Sequence, residues 1–208
     1  MKSKKTKNNS VASIRTKFTR SAIAMAVTAL AAGEASADLT NAYSLTVGDS
    51  QGTVTFDSSV ANKLTIEIDN SGAGRKAVLN WDSLNVHTND TVDFASTNGI
   101  YLNKAPSDGF TSTFAGSVTG HATAVVIFVD PDGMNVTGSV GSIGGLLVSS
   151  VALNSTFDTA ANLVSNVDSY TTIAGAGDVT AVTIGGVGGF SASQLRGVGG
   201  NSVVIAGD

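Results

Sequence analysis

Beyond residue 37 the apolar side chains never settle into the 3.6-residue interval of an amphipathic helix. They come in runs of about three to six β-forming residues, each closed by Gly, Asn, Asp or Ser. Strands are expected at 43–47, 53–56, 63–68, 77–81, 91–94, 124–129, 145–150, 181–184 and 202–205. Breaks fall at Asp69-Asn70-Ser71-Gly72, Thr97-Asn98-Gly99, Asp130-Pro131-Asp132-Gly133 and Gly185-Gly186-Val187-Gly188-Gly189. One short helical stretch is expected within 157–167, with Asp158 near its start. Three all-β architectures compete for such a pattern. A sandwich asks for strict alternation of polar and apolar faces. A barrel asks for longer, evenly spaced strands. A β-solenoid asks for many short strands with Gly or Asn at corners that need φ > 0. The solenoid fits best. At ~20–25 residues per coil, residues 38–208 would make roughly seven or eight coils.

The N-terminus is a different kind of sequence. Seven of the twelve Lys and Arg lie before residue 38, with Glu34 as the one acid there. They precede an apolar run over 21–32 and the small residues Ala35-Ser36-Ala37. Basic region, apolar core and small-residue site, in that order, describe a cleavable secretory signal ending at Ala37. The apolar run is too short for a membrane span of ~20 residues. Residues 38–208 then keep five bases and fifteen acids, a net charge of −10 over 171 residues. Nucleic acid is a poor partner for this surface, because phosphate binding needs clustered Lys and Arg. Anionic membrane surfaces are disfavoured for the same reason, and no membrane insertion is expected.

With no Cys and two His, the chain offers no disulfide, thiolate or Cys-ligated metal site. Charged residues make up 13% of the chain, against roughly 25% in an ordinary soluble domain. Neither His87 nor His121 stands in a catalytic motif. Asp82, Asp90 and Asp93 are close in sequence, and solenoid hydrolases can place such carboxylates on neighbouring coils. Asp is also a common corner residue. No enzymatic activity, cofactor or metal is expected.

Three segments point to a family. Asn80-Trp81, Ser83-Leu84 and Val92-Asp93-Phe94 form the first. The second is Val125-Val126-Ile127-Phe128-Val129-Asp130-Pro131-Asp132-Gly133-Met134. The third is Val140-Gly141-Ser142-Ile143-Gly144-Gly145-Leu146-Leu147-Val148-Ser149-Ser150. In order and spacing they resemble the filamentous haemagglutinin N-terminal domain, the two-partner secretion (TPS) domain. The second segment departs from the family in carrying Asp130 and Asp132 where the family has Asn. A further family motif is blurred around 98–107.

The resemblance implies a right-handed parallel β-helix, with a few strands outside the helix, over 38–208. It implies export from a Gram-negative bacterium through a cognate outer-membrane transporter whose periplasmic domains recognise the chain. A role at the cell surface in adhesion would follow, with a host or cell-surface glycan or protein, or another copy, as further partners. Carried over from the family, the transporter-recognition residues are Asn80, Trp81, Asp130, Pro131, Asp132 and Gly133. Each also has a plainer reading. The lone Trp81 packs a core. Asp130-Pro131-Asp132-Gly133 makes a turn, with Pro setting φ and Gly supplying φ > 0. Asp-x-Asp-Gly is also a fragment of calcium loops, but no acid follows at the closing position. Gly185–Gly189 lacks the Lys-Ser/Thr of a phosphate loop and reads as a corner. The uncharged stretch 143–153 reads as a buried strand. The alternative function is a self-assembling extracellular fibre or matrix subunit, as in a biofilm, built from stacked solenoids.

Overall fold

Strand 63–69 shows how short runs become structure. Its side chains alternate, with Leu64, Ile66 and Ile68 buried and Lys63, Thr65, Glu67 and Asp69 facing outward. A computed structural model describes residues 44–69, 74–82, 84–173, 181–184, 190–200 and 202–205. They belong to the unit Asp38–Asp208. The expected signal at 1–37 and the corner Gly185–Gly189 lie outside the described residues.

The strands are β1 (Thr46–Gln51), β2 (Thr53–Asp57), β3 (Lys63–Asp69), β4 (Lys76–Asn80), β5 (Thr91–Phe94), β6 (Ile100–Lys104) and β7 (Ser112–Phe114). They continue with β8 (Ser117–Gly120), β9 (Val125–Val129), β10 (Met134–Val136), β11 (Val140–Ser149), β12 (Ala181–Ile184), β13 (Phe190–Val198) and β14 (Ser202–Ile205). The fold is all-β: no α-helix occurs among the described residues. No helix there is long and apolar enough to cross a membrane.

Parallel pairing stacks these strands in three columns. The first runs β3, β5, β8, the start of β11 and the start of β13. The second runs β4, β6, β9, the end of β11 and the end of β13. The third runs Val86, β7, β10, β12 and β14. In the second column Lys76 pairs with Ile100, Ile100 with Val125, Gly145 with Val125 and Gln194 with Gly145. The chain therefore returns to each register after about 20–28 residues, except for one excursion of nearly 50 between β11 and the next rung. Two antiparallel strands close the first edge. β1 pairs with β4 and β2 with β3. They cover backbone groups that would otherwise template aggregation.

Each column has five members among the described residues, fewer than the seven or eight coils expected. Residues 44–57 are spent on the antiparallel edge, and 150–173 leave the columns altogether. The latter segment is the expected helical stretch. It forms three 3₁₀ turns instead, Ser155–Asp158, Ala160–Asn162 and Val167–Ser169. Asn154 and Asn166 cap the first and third by accepting from Thr156 N and Asp168 N. Such local bonds favour tight turns over a continued α-helix.

The excursion explains why β9 is apolar at every position. Inside the columns, Val126 and Phe128 pack with Leu79, Tyr101, Phe94 and Phe114. The Phe114 and Phe128 rings lie 4.5 Å apart. Outside, Val125, Ile127 and Val129 pack with Leu153, Leu163, Val167 and Tyr170 of the excursion. Five further strands, β6, β7, β8, β10 and β13, were not anticipated. Four are short, and β7 and β10, with three residues each, carry no side-chain period of their own. Corners stack as closely as strands. A Cβ added to Gly138 would lie 1.7 Å from the Gly116 carbonyl oxygen on the rung before. Gly138→Ala should therefore destabilise the fold by about 1–3 kcal/mol, the usual cost of overpacking. Urea denaturation measures this, and an unchanged midpoint would show that the corner can open.

Candidate functional site

The family-like residues gather where the second column turns toward the third. Trp81 N donates to Lys104 O at 2.9 Å, and Ala105 N to Val129 O at 2.9 Å. Asp130 N donates to Ser149 O at 2.9 Å and Ser150 N to Val198 O at 2.8 Å. Trp81, Ala105, Asp130 and Ser150 thus form one corner column. Trp81 and Asp130 stand two rungs apart, ~10 Å at ~4.8 Å per rung.

Trp81 is buried and its Nε1 donates to Asn103 Oδ1 at 3.0 Å. Asn103 is fully buried between Leu79 and Phe128 in the inner register. Its Nδ2 donates to Ile127 O at 3.1 Å. The indole thus satisfies the one amide side chain inside the second column. Asn80 differs from its neighbour. It is exposed, pairs with Lys104 on one side and Thr46 on the other, and its amide lies over Gly48.

Asp130 is 1% exposed. Its Oδ2 accepts from Ser112 N at 3.0 Å and, in a very short contact, from Ser112 Oγ. Its Oδ1 accepts from Asp132 N at 2.8 Å. Gly133 N donates to Asp130 O at 3.1 Å, closing a turn with Asp first, Pro131 second and Gly133 last. Gly133 has φ +102°, a value that Gly adopts without strain. Asp132 reaches the other way. Its Oδ2 accepts from Asp108 N at 2.6 Å and Gly109 N at 2.8 Å, and its carbonyl accepts from Thr111 Oγ1 at 3.0 Å. The two carboxylates of the motif therefore hold the loop 105–112 of the preceding rung. Both are engaged with backbone N–H groups. No cluster of three or more potential metal ligands occurs among the described residues.

Asp82, Asp90 and Asp93 do not converge. Asp93 pairs with Lys63 at 2.8 Å and accepts from Thr119 Oγ1 at 2.9 Å, whereas Asp90 lies 3.4 Å from His87. Asp82 borders a separate cleft of about 120 Å³ with Leu84, Asn85, Pro106, Asp108 and Phe110. Sequence reading did not single out Asn103, Ser112 or the loop 105–111. Asp108-Gly109 carries a turn signal. Nothing local says that this turn is tied to Asp132, 23 and 24 residues away.

Removing the Trp81 donor by Trp81→Phe, or its acceptor by Asn103→Leu, should each cost about 1–3 kcal/mol, because each strands a buried polar group. The double variant should lose less than the sum of the two. A double-mutant cycle by urea denaturation checks this, and strict additivity would remove the coupling. Burial raises the Asp130 pKa above its ordinary 3.8, against opposing hydrogen bonds from Ser112 and Asp132. The folded state then holds this proton more tightly than the unfolded state. The stability it contributes is fully present below pH ~3.8 and is lost as pH rises through the folded value. Urea midpoints of wild type and Asp130→Asn, compared from acid to neutral pH, should show the wild-type advantage shrinking as pH rises. A difference that is flat or grows with pH would contradict it.

No family model matches the chain. No curated protein matches it either. Among solved structures it is similar to the crystal structure of the HMW1 secretion domain from Haemophilus influenzae, at 19% identity and a TM-score of 0.49. That alignment covers 78% of this chain and 38% of the other, so the chain spans well under half the length of the structure it matches.

Proposed function

We propose that this chain is a TPS-type protein, exported through a cognate outer-membrane transporter and acting outside the cell. One observation carries the reading. Asn80-Trp81 at the end of β4, Val125–Val129 in β9 and the end of β11 lie in one column on nearby rungs and end at one corner, while Val92-Asp93-Phe94 of the first segment lies in β5 of the first column. Segments separated by up to about 70 residues in sequence thereby share one surface.

In this reading the three columns are the faces of a right-handed parallel β-helix over 38–208, with β1 and β2 as strands outside it. The return interval of about 20–28 residues supports it. Residues 1–37 serve as the secretory signal. Asn80, Trp81 and Asp130–Gly133 belong to the transporter-recognition region. The buried members Trp81 and Asp130 act by holding the corner, while Asn80 and the half-buried Pro131 and Asp132 reach its surface. Adhesion is the surface role, on the family resemblance alone. We assign no enzymatic activity.

The fibre reading has its own support. Among the described residues, no strand pairs with the outer edges of β13 and β14. Open edges of this kind can add a strand from another chain.

Secretion tests the first reading directly. In the native host, deleting the cognate transporter barrel should leave the processed chain in the periplasm and remove it from the medium and cell surface. Unchanged extracellular protein in that deletion would overturn the assignment.

A further inference from the structure

Residues 152–173 form a loop closed at its neck. Leu153 and Thr172 make an antiparallel bridge. Asn154 N donates to Thr171 O at 2.9 Å, and Ile173 N to Ala152 O at 2.8 Å. Between these ends the loop packs on itself. The Phe157 and Tyr170 rings lie 4.7 Å apart. The Tyr170 hydroxyl donates to Val164 O at 2.8 Å and accepts from Val164 N at 3.0 Å. Asn162 Nδ2 donates to Thr156 O at 2.7 Å. A closed neck and an interior made of its own side chains let such a loop keep its shape as one piece.

The loop is not attached to the columns as one rung is attached to the next. Among the described residues, no backbone–backbone hydrogen bond joins 155–170 to a strand. The polar ties across this boundary run through side chains. Lys76 Nζ donates to Ala161 O, Asp49 Oδ2 accepts from Ala160 N, and Gln194 Oε1 accepts from Val167 N. Arg196 donates to the carbonyls of Val167, Asp168 and Tyr170. Lys104 pairs with Asp158 at 2.9 Å, with both side chains partly exposed, and water replaces such a pair at little cost. The rest is apolar contact with the outer face of the second column. That contact is incomplete. A slot of about 110 Å³ lies between Leu153 and Asp158 of the loop and Leu102, Val129 and Pro131 of the column. Atoms that face a gap have no packing partner there.

We propose that 152–173 is a lid, which opens as one body about its neck while the columns beneath keep their pairing. Opening breaks side-chain ties and apolar contact but no hydrogen bond between rungs. Proteins open in cooperative units of this kind at a lower free energy than global unfolding. The closed lid covers Ile127 of β9 and Leu147 of β11, and Pro131 of the corner borders the slot at its edge. The open state therefore presents an apolar face beside the corner that the closed state hides. Gly145 is a close seat of the lid. A Cβ there would lie 3.1 Å from Val167 Cγ1 and 3.4 Å from Val125 Cγ2, so the missing side chain lets Val167 rest on the sheet. The lid needs neither a transporter nor the open edges of β13 and β14, so it stands apart from both functional readings.

Thiol labelling tests the proposal, because the chain has no cysteine of its own. Leu146 and Leu147 are neighbours on β11 and both are fully buried, Leu146 inside the columns and Leu147 beneath the lid. Leu146→Cys and Leu147→Cys are made separately in the full chain and treated with an aromatic disulfide reagent in the absence of denaturant. The thiol of Leu147→Cys should label at least about tenfold faster, since lid opening exposes it and only opening of the columns exposes the other. Adding Gly145→Ala wedges the lid and should speed labelling of Leu147→Cys. Adding Val92→Ala makes a cavity in the first column, which lid opening leaves unchanged. It should speed labelling of Leu146→Cys alone. If the Leu variants fail to fold, Val125→Cys and Val126→Cys take their place on the same two faces. Amide exchange by NMR tests the single-body motion. Ala160 N and Val167 N are held by Asp49 and Gln194, on two different strands, and should show protection factors equal within about twofold. Equal labelling of the two thiols overturns the proposal. So do a Val92→Ala change that speeds both alike and unequal protection of the two amides.

Discussion

Register between parallel rungs governs this molecule. A parallel column pairs residue with residue, so each circuit of the chain must deliver the same face of the next strand to the same place. A slip of one residue would turn Val126 and Phe128 outward and Ile127 inward. The corners enforce register. Trp81, Ala105, Asp130 and Ser150 each donate a backbone N–H to the carbonyl preceding the next member of the column. Gly116 and Gly138 let two corners approach with no room for a side chain.

The polar side chains at the corner follow from that constraint. Turning from one column to the next leaves backbone groups without strand partners. Asp130 and Asp132 collect those of Ser112, Asp108 and Gly109, which belong to the rung before. Asn103 and Trp81 do the same work inside, linking the rungs through Ile127 O. A surface that a partner could read is thus made by buried groups that hold the exposed ones in place. Phe110 is the clearest product of this arrangement, since its loop is positioned by a motif on another rung.

The excursion 150–173 adds a second layer on one column only. It converts the outer face of β4, β6, β9 and β11 into a second core. Its contacts are tied down by Lys76 to Ala161 O, Lys104 to Asp158, and Ala160 N to Asp49. Arg196 of β13 donates to the carbonyls of Val167, Asp168 and Tyr170, fastening the far end. The Tyr170 hydroxyl is enclosed beneath this layer, and burial pushes its pKa up to about 12.

Much of the strand pattern was legible locally. Where a run alternates, as at Thr91-Val92-Asp93-Phe94, side-chain period alone names the strand and its buried face. The turn at Asp130–Gly133 was equally plain, because Pro and Gly restrict the backbone regardless of context. The short strands Ser112–Phe114 and Met134–Val136 were not legible, since three residues carry no period and are strands only because Val86 and Val182 lie beside them. The excursion was misread for a related reason. Its apolar residues cover a neighbouring sheet face and need not follow a helical repeat.

By itself the sequence determined an all-β chain, its turn residues and a corner motif, because these depend on side-chain period and on what Pro and Gly permit. Only the tertiary structure decided the partners. It placed Trp81 two rungs from Asp130, gave Asp132 the loop of another rung to hold, and left Phe110 exposed. Each of those depends on pairing between residues more than twenty apart, a distance over which local preference carries no information.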